Sequence, residues 1–405
     1  MKKNNKKKKW IKFRHKVIRL PLYLILGTYS RIKYGIKVER FKEEEKRPYL
    51  VLYNHQTAFD QFFVGMAFKQ NLYYLASEDL FSNGWVSSLI RFLVAPIPIK
   101  KQTTDVKAIL NCIRVAKEGG SIAIAPEGNR TYSGKTEYMS DSIVPLAKKL
   151  NMPIALYRIE GGYGVHPRWS DVVRRGKMKS YVSRVLPPEE YASMPDDELF
   201  EIIKKELYVN EAVADGEFHH KRIAEYLERA VYVCPYCGLA EFKSDKDIIE
   251  CQKCKRQIRY TAKKELFGVD FEFPFHFVAD WYEYQSNFMN HLDPQDYIET
   301  PIHTETASLY EVIPYEKKEL ISKDVVITLY GDRIIIKTET EELLFPFEKT
   351  SAVTVLGRNK LNIYFDGRIY QIKPPARFNA LKYVHMYNRF RNVLKGEKDE
   401  QFLGL

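Results

Sequence analysis

The segment Asn54-His55-Gln56-Thr57-Ala58-Phe59-Asp60 pairs an imidazole with a carboxylate five positions on. Within one continuous helix, five steps rotate by about 140°, so the two side chains would not share a face. If His55 stands in the turn before a helix that opens near Asp60, the carboxylate can reach the ring. Such a contact fixes the tautomer and supports the imidazolium that forms when the ring takes a proton, as a general base requires. The alternative is a plain helix start, with Asp60 placed for the helix dipole and His55 incidental. A second stretch, Ala125-Pro126-Glu127-Gly128-Asn129-Arg130-Thr131, combines a Glu-Gly turn with an arginine two residues later. It can present a guanidinium and backbone N–H groups to a phosphate, or be an ordinary polar turn. The third group is Cys234-Pro-Tyr-Cys237 and Cys251-Gln-Lys-Cys254, with thirteen residues between the pairs. This spacing supplies four thiolates to one tetrahedral zinc ion, and Gly238 suits the tight turn after the first pair. A closed four-cysteine site has no open position for substrate or water, so its expected role is structural.

These groups need elements that hold them together. Tyr49–Tyr53 reads as a short apolar strand ending just before His55, and Ala58–Lys69 as the helix after it. Strands follow at Asn71–Ala76, Ser121–Ala125 and Pro153–Ile159, alternating with helices at Trp85–Ala95, a stretch capped by Asp105 that stops at Gly119-Gly120, and Ser142–Leu150. Alternation of this kind predicts crossover connections and a helix-covered, largely parallel sheet, an α/β fold. Ligands of such sheets sit at the carboxyl ends of the strands. Both His55 and Glu127 follow a predicted strand directly, which places them on that edge.

Taken together, the two polar blocks resemble the glycerolipid acyltransferase family typified by 1-acylglycerol-3-phosphate acyltransferases. Its hallmark is Asn-His, four variable residues and Asp, followed some 60 to 80 residues on by Pro-Glu-Gly-Thr-Arg. Here His55 and Glu127 are 72 residues apart. Pro96-Ile97-Pro98-Ile99-Lys100-Lys101 is similar to the family's intermediate block, and Met152-Pro153-Ile154-Ala155-Leu156 to its fourth. Asn129 stands where the family usually has Thr, Thr131 where it often has Ser, and Lys100-Lys101 where an Arg is typical. The resemblance covers roughly residues 40–210. It implies transfer of a fatty acyl group from a thioester, acyl-CoA or acyl carrier protein, to the hydroxyl of a lysophospholipid such as 1-acylglycerol-3-phosphate, giving phosphatidic acid. By the same resemblance His55 is the base, Asp60 its orienting partner, and Lys100, Lys101, Glu127, Gly128 and Arg130 the substrate-binding residues. The competing expectation is a non-catalytic membrane adaptor that retains the domain only to bind lipid.

The net charge of +12 is a property of the amino terminus. Ten Lys or Arg and no acidic residue lie between Lys2 and Arg19, leaving 54 basic against 52 acidic side chains elsewhere. The apolar run after them is interrupted by Arg19, Pro21 and Gly27 and falls short of the roughly 20 residues of a membrane span. A signal peptide shares this charged-then-apolar order, but no small-residue cleavage site follows cleanly. An interfacial helix fits better, with basic groups toward lipid phosphates and Leu, Ile and Tyr below them, and a solvated basic arm is the alternative. The expected location is the cytoplasmic face of a membrane, peripheral or monotopic. Paired Cys-x-x-Cys motifs accord with a reducing compartment. Cys112, outside them, falls in a helical pattern as a small core residue. Lys253, Lys255, Arg256 and Arg259 make the cysteine segment locally basic, but Asp245, Asp247 and Glu250 offset them. Nucleic acid is therefore not an expected partner.

Four regions are expected: a basic, amphipathic segment over 1–40, the acyltransferase-like domain over 41–215, a helix and zinc ribbon over 216–266, and a β-rich domain over 267–405. Gly331-Asp332 and Asp366-Gly367 each lie between alternating runs, the second a strong hairpin signal. A final helix is predicted over 376–394. Hairpins closed by one helix resemble a pleckstrin-homology-type barrel.

Overall fold

The computed structural model describes residues 9–44, 47–99, 105–313, 316–396 and 402–404. The chain forms two compact units. The first comprises residues 1–130, 136–162 and 177–209, and the second residues 131–135, 163–176 and 210–405.

The first unit opens with helix α1 (Phe13–Tyr34), which ends on Gly35 in the left-handed conformation. It runs unbroken through Pro21, which has no backbone N–H to donate to the helix ladder. Then come β1 (Ile36–Val38), β2 (Leu50–Tyr53), α2 (Asp60–Ala67), β3 (Leu72–Ser77), α3 (Trp85–Leu93) and β4 (Ile97–Ile99). They are followed by α4 (Val106–Lys117), β5 (Ser121–Ile124), α5 (Ile143–Leu150), β6 (Ile154–Glu160), β7 (Met178–Leu186) and α6 (Asp196–Leu207). The α4 start is set by the Asp105 carboxylate, which accepts from the Ala108 N–H at 3.0 Å.

The seven strands order as β1-β7-β6-β2-β5-β3-β4. From β6 to β4 every pairing is parallel, while β7 runs antiparallel to β6. The sheet is thus mixed but largely parallel. β2 and β5 are buried at every position, since a sheet covered on both faces gives continuous apolar strands rather than alternating ones. Its core gathers Leu50, Leu52, Ile122, Ile124, Ile154 and Leu156 with Val115, Ala147 and Ile203 from the covering helices.

In the second unit, β8 (Val233–Cys234) pairs with β9 (Gly238–Leu239), and β10 (Phe242–Asp245), β11 (Ile248–Cys251), β12 (Gln257–Tyr260) and β13 (Leu266–Gly268) form a four-stranded antiparallel sheet. Helix α7 (Val278–His291) follows. Seven further strands are β14 (His303–Glu311), β15 (Glu319–Leu329), β16 (Arg333–Lys337), β17 (Glu342–Pro346), β18 (Ala352–Leu356), β19 (Lys360–Phe365) and β20 (Arg368–Lys373). They order as β17-β16-β15-β14-β20-β19-β18, two antiparallel meanders joined through β14 and β20. The closing helix α8 (Leu381–Leu394) starts five residues later than the sequence predicts, because the chain first makes a turn at 376–377, closed by the Phe378 N–H on the Pro375 carbonyl at 3.3 Å.

One apolar cluster serves this whole unit, uniting Ile249 and Ile258 of the cysteine-bearing sheet, Trp281 of α7, Ile327 and Ile363 of the seven-stranded sheet, and Met386 of α8. The short segments 131–135 and 163–176 belong to it as well. Tyr132 and Trp169 are fully buried there, and Arg174 stacks over Trp169 and Tyr260 at 4.7 and 5.0 Å.

Candidate active site

Strand β2 ends at Tyr53 and helix α2 begins at Asp60, so His55 lies in the turn between them. The His55 Nδ1 stands 2.7 Å from Asp60 Oδ2. Asp60 is fully buried, and each of its other partners is a donor: the N–H groups of Gln56 and Thr57 and the Thr57 hydroxyl, all at 2.6–2.9 Å. A carboxylate accepting from four donors also fixes the His55 tautomer, since it can receive only an N–H from Nδ1. Nε2 is then the basic nitrogen. The side chain of His55 keeps 23% of its surface exposed, so the ring edge is reachable from outside. The Tyr53 ring packs edge-on beside it, with centroids 6.2 Å apart.

Two neighbours of β2 complete the turn. From β5 the chain enters the Glu127 loop, and the His55 N–H donates to Glu127 Oε1 at 2.7 Å. The loop turns at Gly128, whose φ of +67° favours glycine, and the Gly128 N–H closes onto the Ala125 carbonyl at 3.0 Å. Enclosure of the Glu127 carboxyl pushes it well above the usual carboxylate range; the N–H of His55 opposes this, and the charge of Asp60 adds to it. On the other side of β2, the Asn54 amide spans to β6, donating to the Ile159 carbonyl at 2.9 Å and accepting from the Ile159 N–H at 2.7 Å. After β6 the chain passes so close that a Cβ on Gly162 would lie 2.6 Å from the Cβ of Gln56.

Arg130 ends the Glu127 loop and is buried at 8% exposure. Lys100 and Lys101 lie outside the described residues; β4 ends at Ile99, and its parallel pairing with β3 puts that end on the same sheet edge as the ends of β2 and β5. The roles of Asn54, Thr57 and Gly162 in holding the turn are not visible in sequence reasoning. Only the doublet Gly161-Gly162 at the end of a predicted strand could have signalled a close approach there.

In the second unit the four cysteines 234, 237, 251 and 254 bring one Sγ each within 4.8 Å of the others. Gly238 and Lys255, each directly after the second cysteine of its pair, both take positive φ (70° and 62°), so the two knuckles turn alike. A further cluster, Glu241, His303 and Glu305, is crossed by the Lys382 ammonium, which hydrogen-bonds both Glu241 and His303. That lysine supplies the positive charge the carboxylates need, which makes the cluster an ion-pair network.

Comparison with known proteins bears on the first unit. The family model described as acyltransferase matches residues 35–159. A 1-acyl-sn-glycerol-3-phosphate acyltransferase of Bacillus subtilis (strain 168) is 24% identical over 127 residues, which are 31% of this chain. The chain spans 60% of the length of that relative. Among solved structures, the 1-acyl-sn-glycerophosphate (LPA) acyltransferase from Thermotoga maritima aligns with 49% of this chain and 82% of its own, at 20% identity and a TM-score of 0.41. The stretch matched by the acyltransferase family model, residues 35–159, contains the His55–Asp60 turn.

Proposed function

We propose that this protein transfers a fatty acyl group from a thioester, acyl-CoA or acyl carrier protein, to the hydroxyl of a lysophospholipid, with 1-acylglycerol-3-phosphate as acceptor and phosphatidic acid as product. The observation that carries the reading is the His55 Nδ1 to Asp60 Oδ2 contact at 2.7 Å, built at the carboxyl edge of the sheet with the carboxylate buried and the ring edge accessible. His55 Nε2 takes the proton of the acceptor hydroxyl as its oxygen attacks the thioester carbonyl. The tetrahedral intermediate collapses, the C–S bond breaks, and the leaving thiolate takes the proton from His55. Asp60 holds the ring and stabilises its transient positive charge, help typically worth about 10² to 10⁴ in rate. Glu127 and Gly128 shape the loop, and Arg130 with Lys100 or Lys101 holds the acceptor phosphate.

The four cysteines would hold one zinc ion. Tetrahedral zinc with Zn–S bonds of about 2.3 Å sets sulfurs about 3.8 Å apart, and the Cys234 and Cys254 sulfurs are 3.8 Å apart. With four protein ligands the ion contributes folding energy, not chemistry. The two meanders and closing helix support reading the C-terminal strands as a pleckstrin-homology-type barrel.

The protein would work as a peripheral or monotopic enzyme on the cytoplasmic face of a membrane. Among the described residues no helix is long and apolar enough to cross one. α1 exposes Phe13, Val17, Leu20 and Leu24, at spacing that places them on one face. The deciding experiment is acyl transfer from labelled acyl-CoA, and from acyl carrier protein, to lysophosphatidic acid in vesicles. Product from the wild-type chain and at least a hundredfold less from His55→Ala is the expected result; equal activity would remove His55 from the reaction.

A further inference from the structure

At the far end of α2 from the His55 turn lies a cavity of about 180 Å³. Asp60 is the first residue of α2 and Ala67 the last, so the two ends are about 10 Å apart along the axis. Arg19, Arg40 and Lys69 line the cavity together with Tyr23, and Leu20 and Met66 form part of its apolar wall.

The cations converge on one tyrosine. Arg19, Arg31 and Arg40 stand 5.9, 5.9 and 5.4 Å from the Tyr23 ring centre, and the Tyr23 hydroxyl accepts from Arg40 at 2.7 Å and from Arg31 at 3.3 Å. Arg19 donates to the Phe68 carbonyl. Among the described residues no carboxylate lies within ion-pair distance of these three arginines; the carboxylate whose charge acts on Arg19 is Glu43, which also accepts from the Lys69 N–H. Burial would raise the Tyr23 hydroxyl, yet the hydrogen bonds from Arg40 and Arg31 bring it below its ordinary value, a sign of how positive the site is. The negative charge of Glu43 is outnumbered there by Arg19, Arg40 and Lys69, so an anion entering the cavity would gain charge-assisted hydrogen bonds.

The volume says what kind of anion. Pockets that enclose a whole small molecule run to roughly 300–1,000 Å³, so this one takes the end of something larger. The surroundings say where the rest of it goes. Leu20, a wall residue, also belongs to the exposed apolar stripe of α1, in which Phe13 is 80% and Leu24 58% exposed. A cationic hollow beside an apolar stripe on one helix matches a bilayer, with headgroup phosphates above and acyl chains below.

We propose that this cavity is a docking site for the phosphate headgroup of an anionic phospholipid within the bilayer, separate from the catalytic turn. It rests on the membrane-surface reading given under Proposed function. It would hold α1 at a fixed depth and orientation rather than through diffuse charge alone.

The test uses the full chain and dihexanoyl-phosphatidylglycerol below its micelle concentration, which has the headgroup but no membrane field. Wild type should bind one molecule per chain by calorimetry, and dihexanoyl-phosphatidylcholine at least tenfold more weakly. Arg40→Gln with Lys69→Gln, both surface residues whose loss leaves folding intact, should weaken binding at least tenfold. Lys16→Gln with Lys33→Gln removes the same charge from α1 outside the cavity and should leave it unchanged. Equal losses in the two pairs, or inorganic phosphate binding as tightly as the lipid, would overturn the proposal. Sedimentation with phosphatidylglycerol vesicles is the separate arm: a wild-type chain that stays in solution refutes the membrane reading itself, whatever the short-chain lipid does.

Discussion

The backbone N–H of His55 donates to Oε1 of Glu127 at 2.7 Å, although 72 residues separate them. The bond crosses from the end of one parallel strand to the end of its neighbour, and it ties the loop carrying Arg130 to the turn carrying His55. Both polar blocks therefore act as one structure, and disturbing either should be felt at the His55 ring.

His55→Ala should lower kcat/KM for acyl transfer by about 10² to 10⁴ with little change in thermal stability, because the ring is part-exposed. Asp60→Asn should lower activity comparably and also destabilise the fold. The buried carboxylate accepts from Gln56 and Thr57 as well, and an amide presents an N–H₂ group to one of those donors, at a cost of about 1–3 kcal/mol. Parallel rate and melting measurements separate the two effects.

Glu127→Gln should reveal a pH-dependent term in stability. The folded-state pKa of Glu127 is raised, so its contribution is fully present below the unfolded value near 4.5 and is lost as pH rises through the folded value. Glutamine keeps the carbonyl that accepts from His55 but does not ionise. The melting temperature of the wild type should therefore fall relative to the variant as pH is raised from about 4.5 toward 9. A constant difference across that range would show that Glu127 is not shielded from water.

Gly162→Ala should damage the site without touching a charged group. The added methyl would sit 2.6 Å from the Cβ of Gln56, whose N–H holds Asp60. Relief requires the turn to shift, at about 1–3 kcal/mol. Circular dichroism melts should register the loss, and kcat should fall more than KM rises, since the displaced group is the one orienting His55.

Metal analysis of the purified chain should find one zinc per chain, absent from Cys251→Ala. Removing it by chelation should lower the thermal midpoint by about 10 °C or more, because Cys251 lies at the end of β11, next to Ile249 in the shared core. Full retention of stability without metal would argue against a zinc-dependent second unit.

The elements and the local chemistry were legible in the sequence because both depend on near neighbours. The strand before His55, the helix after it, the Asp105 cap and the hairpin turns follow from apolar period and turn residues, and the His55–Asp60 contact needs only six residues to form. The two Cys-x-x-Cys pairs were legible for the same reason. What the chain order could not reveal is the order of the strands. β2 lies between β5 and β6, neither of them next to it in sequence, and that placement alone brings Glu127 to the His55 amide, Ile159 to the Asn54 side chain and Gly162 to Gln56. The common core of the cysteine-bearing sheet and the seven-stranded sheet, and the capture of Tyr132 and Trp169 within it, are decided in the same way. Hydrogen-bond register and burial between distant segments are settled by how the whole chain excludes water. Periodicity can say which face of an element is apolar, but not which other face will cover it.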